Sequence, residues 1–545
     1  MDHPSSAKGE PRRGPLHTSG SIPAQQAGAD TAPEVKAEPR PSPLHTSGSV
    51  ASQATPVNST SGGKAEPRPS PLHTSGSVAV QASRMDSSSG IRSAIRRGPL
   101  QSSGSVAAQA PLGTDPSAGK SVHWRGPRYA PESVAEVGVR RGVLEDLAMK
   151  ILYTSGPLSL RELATLTKLP LSVVNELLRR LRAEQLCEVT GMTGNIPQIA
   201  ITSQGRSRAM ELLALNQYTG PAPVSLENYK QQVHEQSVRH VDVHAPDVER
   251  AFAHLVVDDA VLDKLGAALN SGTSIFLHGP SGTGKTAIAT ALAQVLAVDQ
   301  AWIPYALEVD GQIICVYDPL VHEKINDPVA QSGDARWVLC HRPTVLVGGE
   351  LTVEMLDLQF NPATKYYAAP VQMKANNGVL IIDDFGRQRL RPEELLNRWV
   401  VPLDRRIDFL SLAGGKKVEI PFEPCVVFAT NLNPETLADD AFLRRIQTKI
   451  KVGAVSEQQF HAIFRAVCGT CNLQCETEVI DELIKIIRKE LKEPLRACHP
   501  RDLVNQICWK ARYKQSEPCL DRDTLLAAVD AYFVRETEEP DQESA

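Results

Sequence analysis

The first 130 residues contain no phenylalanine, one tryptophan (Trp124) and one tyrosine (Tyr129), and they hold 16 of the chain's 39 prolines. A segment so poor in large apolar side chains cannot bury enough surface to offset its chain entropy, so residues 1–135 are expected to form a disordered arm. No cysteine precedes Cys187, and ten in a chain of 545 residues do not make a disulfide framework. No apolar run approaches the ~18 residues of a membrane-spanning helix, so no membrane insertion is expected. The opening Met-Asp-His-Pro-Ser-Ser-Ala-Lys lacks the apolar stretch of a secretory signal. A reducing, cytoplasmic setting is the simplest expectation.

Charge follows the same division. Residues 1–130 carry 14 Lys and Arg against 8 Asp and Glu, whereas residues 131–545 carry 44 against 55. A basic, core-poor arm is joined to an acidic body, which argues against an overall grip on nucleic acid and leaves room for a local patch. The arm repeats itself: Pro15-Leu16-His17-Thr18-Ser19-Gly20-Ser21 recurs from Pro43 and Pro71 and, altered, from Pro99, a step of 28 residues. Each unit has too few large apolar residues for a solenoid. A duplicated linker and an array of short binding motifs, whose copies raise avidity, both remain open.

Helical spacing begins near Arg140. Leu144, Leu147, Ala148 and Ile151 share a face. Helices are expected over 160–167 and 172–185, then a hairpin with strands 187–190 and 198–202. Three helices and a two-stranded wing over 138–215 resemble the winged-helix family, which implies either DNA reading by the third helix or protein docking. Arg179, Arg180 and Arg182 favour DNA, whereas Glu176, expected among the exposed positions, and a balance of 10 Lys and Arg to 7 Asp and Glu do not. Residues 216–240 read as a linker.

The strongest signal starts at Thr273. The apolar run Ser274-Ile275-Phe276-Leu277 leads into Gly279-Pro280-Ser281-Gly282-Thr283-Gly284-Lys285-Thr286 and an Ala/Leu-rich helix. This is the G-x-x-x-x-G-K-T loop in its strand–loop–helix setting, a phosphate cradle. Lys285 supplies charge to the outer phosphates, the Thr286 hydroxyl suits Mg²⁺, and the helix N-terminus adds partial positive charge. About a hundred residues on, the apolar strand Val379-Leu380-Ile381-Ile382 ends in Asp383 and Asp384. Asp383 suits Mg²⁺ through water. Asp384 stands where a glutamate commonly orients the attacking water, one methylene shorter.

A further buried strand ends at Asn431, an Asp439-Asp440-Ala441-Phe442-Leu443-Arg444-Arg445 segment follows, and His499-Pro500-Arg501 opens a helix. In order and spacing these parts resemble the AAA+ ATPases, across residues 241–533. The resemblance implies an α/β fold: a P-loop NTPase three-layer core at 241–455 and an all-α lid at 456–535, before an acidic tail at 536–545. It implies ATP and Mg²⁺ as cofactors, ATP hydrolysis, and a ring of copies, six by resemblance, that remodels a client protein. Asn431 takes the sensor 1 role, Arg444 or Arg445 the arginine that reaches a neighbour's nucleotide, and Arg501 the sensor 2 role. A hairpin around Gly414-Gly415 resembles the insertion of the MoxR-type and enhancer-binding-activator branch. Tyr366 and Tyr367 suit a substrate pore or simple packing, with packing preferred. A slowly hydrolysing regulatory switch is the alternative function. Cys468, Cys471 and Cys475, with Cys498 and His499 downstream, read as a buried helix face before a zinc site.

Overall fold

The computed structural model describes residues 129–326, 333–434 and 443–533. The repeats, the acidic tail and the part of the Asp439–Arg445 segment before Leu443 lie outside the described residues.

The N-terminal part runs α1 (Arg141–Ser155), β1 (Leu158–Ser159), α2 (Leu160–Thr167), α3 (Leu171–Ala183), β2 (Cys187–Thr193), β3 (Ile196–Ile201) and α4 (Ser203–Leu215). A capping box starts α2: the Ser159 hydroxyl accepts from the Glu162 amide, and the Glu162 carboxylate accepts from the Ser159 amide. Val173, Val174, Leu177, Leu178 and Leu181 form the buried stripe of α3. The hairpin strands are longer than expected. A register shift between Val189 and Gly191 lets pairing continue to Thr193↔Ile196, and β3 also pairs with β1. Glu176 keeps about a third of its side chain exposed, and it is engaged as well. Its carboxylate accepts from the Val134 amide and pairs with Arg141.

The stretch expected as linker, 216–240, instead holds β4 (Val224–Ser225) and α5 (Leu226–Glu235). Ser225 caps α5, and Tyr229, Gln232 and Val233 give it a buried face. These spacings are short enough to vanish beside the Pro and Gly around them.

The central part contains α6 (Ala245–Phe252), α7 (Asp259–Ser271), β5 (Ile275–His278), α8 (Lys285–Ala297), β6 (Gln300–Pro304), β7 (Ala306–Val309), β8 (Gln312–Cys315), β9 (Trp337–His341), β10 (Thr344–Val347), β11 (Gln359–Asn361), β12 (Tyr366–Ala368), α9 (Val371–Lys374), β13 (Val379–Ile382), α10 (Pro392–Arg405), β14 (Ile407–Ser411), β15 (Lys417–Pro421), β16 (Cys425–Thr430) and β17 (Thr448–Lys451). Five parallel strands form one sheet in the order β10-β13-β16-β5-β17. Their alternation covers both faces. Ile275, Leu277, Ile381 and Val427 pack toward Ile288, Leu292 and Leu265 of the helices on one side. Phe276, Leu380, Ile382 and Phe428 pack toward Trp399 and Leu395 on the other. The expected α/β class and parallel sheet are found.

A second sheet, β11-β12-β8-β7-β4, joins four strands of the insertion between α8 and β13 to β4, which precedes α6. It ties the N-terminal part down. Buried Arg336, paired with Asp334 at 2.7 Å, also donates to the Val137 and Pro223 carbonyls. Tyr366 packs edge-on against Tyr218, with centroids 5.6 Å apart. Tyr367 is buried and its hydroxyl accepts from the Ala413 amide at 2.7 Å. Both tyrosines are packing residues here. The β14–β15 hairpin forms where expected, and its Leu410, Val418 and Ile420 join this second core.

Four helices close the described chain: α11 (Glu457–Thr470), α12 (Thr477–Lys485), α13 (Cys498–Tyr513) and α14 (Arg522–Tyr532). Cys468, Cys471 and Cys475 pack in their core. Among the described residues, no group of three or more His, Cys, Asp or Glu is placed to hold a metal. No helix among them is long and apolar enough to cross a membrane.

Candidate nucleotide site

The parallel strands β5, β13 and β16 end side by side, so the loops that follow them converge at the sheet's C-terminal edge. The loop after β5 turns through left-handed backbone at Gly279, Gly282 and Gly284, with φ of 144°, 77° and 93°. Two of these glycines are also needed for space. A Cβ on Gly279 would lie 2.1 Å from the Val452 carbonyl oxygen, and one on Gly282 would lie 2.5 Å from Cys498 Sγ. Pro280 and Ser281 form the exposed rim.

Lys285 is buried to 7% exposure at the start of α8. Its Nζ donates to the Gly279 and Pro280 carbonyls at 3.0 and 2.7 Å, and the Thr283 hydroxyl donates to the Pro280 carbonyl at 3.0 Å. Burial pushes the ammonium below its ordinary value, and the Asp383 and Asp384 carboxylates oppose that shift. The first turn of α8 has neither a side-chain cap nor an acidic residue, which leaves its amides to an anion.

The Thr286 hydroxyl meets both Asp383 carboxylate oxygens, at 3.0 and 2.8 Å. Asp384 follows with φ of 48°, a conformation that short Asp tolerates better than longer side chains. Its carboxylate accepts from Asn431 Nδ2 at 2.9 Å. The structure therefore brings the loop, Lys285, Thr286, Asp383, Asp384 and Asn431 to one edge. Gln388 joins them unforeseen: its amide donates to the Asp383 carbonyl and accepts from the Gly386 amide, both at 2.8 Å. Nothing in its sequence context marks it.

The last helical group touches the same loop, since the Cys498 amide donates to the Gly282 carbonyl at 3.0 Å. Arg501 lies on the first turn of α13, exposed and paired with Asp502 at 3.0 Å rather than with the loop. Arg496 lies closer. Its Cδ would be 3.5 Å from a Cβ on Gly282, its guanidinium pairs with Glu493 at 2.7 Å, and its Nε is buried without a partner. A second arginine five residues before Arg501 was the available sequence signal. His499 is a packing residue: burial first, then the Arg496 charge, holds its imidazole down at about 4.

Arg444 and Arg445 are not part of this cluster. They line a cavity with Thr273 and Ser274, at the opposite, N-terminal end of β5. Arg445 pairs with Asp404 at 2.7 Å, while Arg444 is exposed.

Residues 456–531, most of the terminal helical group, match a domain of unknown function, DUF8689. No curated protein matches the chain. Among solved structures, NtrX from Brucella abortus, in complex with ADP, is similar at 16% identity and a TM-score of 0.34, with 54% of this chain and 60% of that chain covered. The match thus spans less than two thirds of NtrX. The Thermotoga maritima RuvB Holliday junction branch migration motor is similar at 12% identity and a TM-score of 0.30, with 50% of this chain and 69% of that one covered.

Proposed function

We propose that this chain is an ATP-binding and ATP-hydrolysing protein of the AAA+ type, working as a ring, six copies by resemblance, on a protein client selected by its N-terminal regions. One observation carries the reading: Thr286 bonded to Asp383, and Asn431 bonded to Asp384, meet beside a glycine loop with Lys285 at its base. The donor set fits a magnesium nucleotide. Gly279, Pro280, Ser281, Gly282, Thr283 and Gly284 surround the phosphates, Lys285 meets the outer ones, and Thr286 with Asp383 offers the hard oxygens that Mg²⁺ takes. Bound Mg²⁺ offsets phosphate charge. Asp384 accepts a hydrogen bond from the attacking water and Asn431 keeps its carboxylate aimed. Arg501 and Arg496 respond from the lid, and Arg444, beside an Arg445 held by Asp404, serves a neighbouring copy.

The test is phosphate release with Mg²⁺ by the wild type, Lys285→Ala and Asp384→Ala. The reading expects turnover in the wild type alone, rising with chain concentration, and nucleotide binding kept by Asp384→Ala but lost by Lys285→Ala. Tight ATP binding by Lys285→Ala overturns the site.

A second reading, a nucleotide-dependent switch with slow turnover, is favoured by Asp384 standing where Glu is usual. ATP-driven assembly without phosphate release in the wild type supports it. DNA binding through the winged-helix-like part draws on Arg179 and Arg182, exposed on α3, with the nearby Glu176 carboxylate engaged by Arg141 and the Val134 amide. It requires salt-sensitive duplex binding lost on substituting those arginines.

A further inference from the structure

The N-terminal edge of the parallel sheet holds a cavity of about 820 Å³ between α5, the end of α10, the base of the β14–β15 hairpin and the start of β17. Six cationic side chains line it: Lys230, Arg239, Arg405, Arg406, Arg444 and Arg445. Three carboxylates share the lining, and each is already engaged. Asp404 pairs with Arg445, Glu419 with Lys230 at 3.2 Å, and Glu423 accepts from the Ser237 hydroxyl at 2.7 Å. Arg239, Arg405 and Arg444 are exposed, and their side chains form no hydrogen bond or ion pair among the described residues. Arg406, bound to the Gly272 and Pro424 carbonyls, is pushed below its ordinary value by burial and, further, by the Arg239 charge, while Glu423 opposes this. Like charges gathered this closely repel one another, and a polyanion relieves that repulsion.

An acidic segment of sufficient length belongs to the same chain. Residues 534–545 carry Glu536, Glu538, Glu539, Asp541 and Glu543 against a single cation, Arg535. They follow α14, where Phe533 packs on His499 with ring centroids 5.2 Å apart, next to the Cys498 amide that bonds the glycine loop. Ten extended residues, 534–543, reach about 33 Å. The four-residue β5, which separates the glycine loop from the cavity, is about 13 Å long. We propose that residues 536–543 dock in the cavity of their own chain, with Arg239 and Arg405 as their main cationic partners. Arg444 keeps the role given to it above and is not part of this contact. The inference does not depend on the ATP-binding reading. Charge and tethering both favour this occupant over a free polyanion. Residues 131–545 carry 44 Lys and Arg against 55 Asp and Glu, so a long polyanion approaching from solution meets net repulsion. A segment joined to the fold by a few residues is held at an effective concentration on the order of millimolar and overcomes that repulsion more readily. The contact ties the last helix of the chain to the opposite edge of the parallel sheet.

The experiment is zero-length cross-linking of the full chain with a carbodiimide, which joins a carboxylate to an amine in direct contact. Lys230 is the lysine on the cavity wall. Unlabelled and nitrogen-15-labelled chains are mixed in equal amounts, and cross-linked peptides are read by mass spectrometry. Amide links from Lys230 to the carboxylates of residues 536–543, within one isotopic form, are expected at low salt. Their yield is expected to fall at least about fivefold in about 0.5 M salt and in the Arg239→Gln, Arg405→Ala double variant. Absence of these links overturns the inference, as does a yield that neither salt nor the double variant changes. Links only between labelled and unlabelled chains also overturn it, because the occupant is then the segment of a second copy. A second measurement leaves the cavity intact. With Glu536, Glu538, Glu539 and Glu543 changed to Gln and Asp541 to Asn, phenylglyoxal is expected to modify Arg239 and Arg405 at least about threefold faster than in the wild type, since a tethered segment shields them. Equal rates overturn the inference. If a short DNA duplex slows that modification and neutralising the segment does not change it, the occupant is nucleic acid and the inference falls.

Discussion

At the C-terminal edge of the parallel sheet, Asp383 is met by Thr286, Asp384 by Asn431 and Lys285 by two loop carbonyls; at the N-terminal edge, Arg239, Arg405 and Arg444 face a cavity with no partner among the described residues. The first arrangement is complete within one chain and holds its groups in fixed directions. The second has surplus charge of one sign. Preorganised groups suit chemistry, because little reorganisation is left for the reacting state. Surplus cations suit an anion that arrives from outside.

Substitutions sharpen that contrast in order of size. Lys285→Ala removes the charge at the base of the loop. It is expected to weaken ATP binding by at least about 3 kcal/mol, roughly a hundredfold, in calorimetric titration. Acid is expected to act next. His322 donates to the Lys374 carbonyl and accepts from the Asp318 amide, and His499 packs on Tyr532 and Phe533. Burial holds both at about 4, below the ordinary 6.5. The unfolded chain takes up these protons below pH 6.5 and the folded chain does not until near pH 4. Stability is therefore full above 6.5 and falls as pH drops from 6.5 to 4, by up to about 1.4 kcal/mol per unit for each histidine. Denaturant titrations at pH 7 and 5 measure this, and His322→Gln or His499→Gln should flatten the slope.

Asn431→Ala frees the Asp384 carboxylate. Turnover is expected to fall about tenfold or more while ATP affinity changes by less than about threefold, since the lost contact acts on the water and not the phosphates. Arg405→Ala should change folding stability by no more than about 0.5 kcal/mol, because the residue is exposed and unpaired. A large loss there would mean that the cavity's cations are structural and the contrast between the edges is false.

The C-terminal edge was legible in sequence because each of its parts is contiguous. A strand, a glycine loop and a helix sit in one run, and Asp383, Asp384 and Asn431 each close an apolar strand of four to six residues. The N-terminal edge was not, since Arg239, Arg405 and Arg444 are far apart in the chain and meet only through sheet order. The second sheet escaped for another reason: β4, β11 and β12 have two or three residues each, too few for a period to show. α5 was hidden by the Pro and Gly before it. Arg501 was marked by its motif, yet it pairs with Asp502, and Arg496, five residues earlier, is the arginine whose Cδ would meet a side chain at Gly282.

The most direct test is steady-state phosphate release from Mg-ATP, per chain, for the wild type and Lys285→Ala over a range of chain concentrations. The account predicts a wild-type rate that climbs with concentration as neighbours complete one another's sites, and a Lys285→Ala rate near background throughout. Equal rates for the two proteins, or no release by the wild type together with no ATP binding, would contradict it.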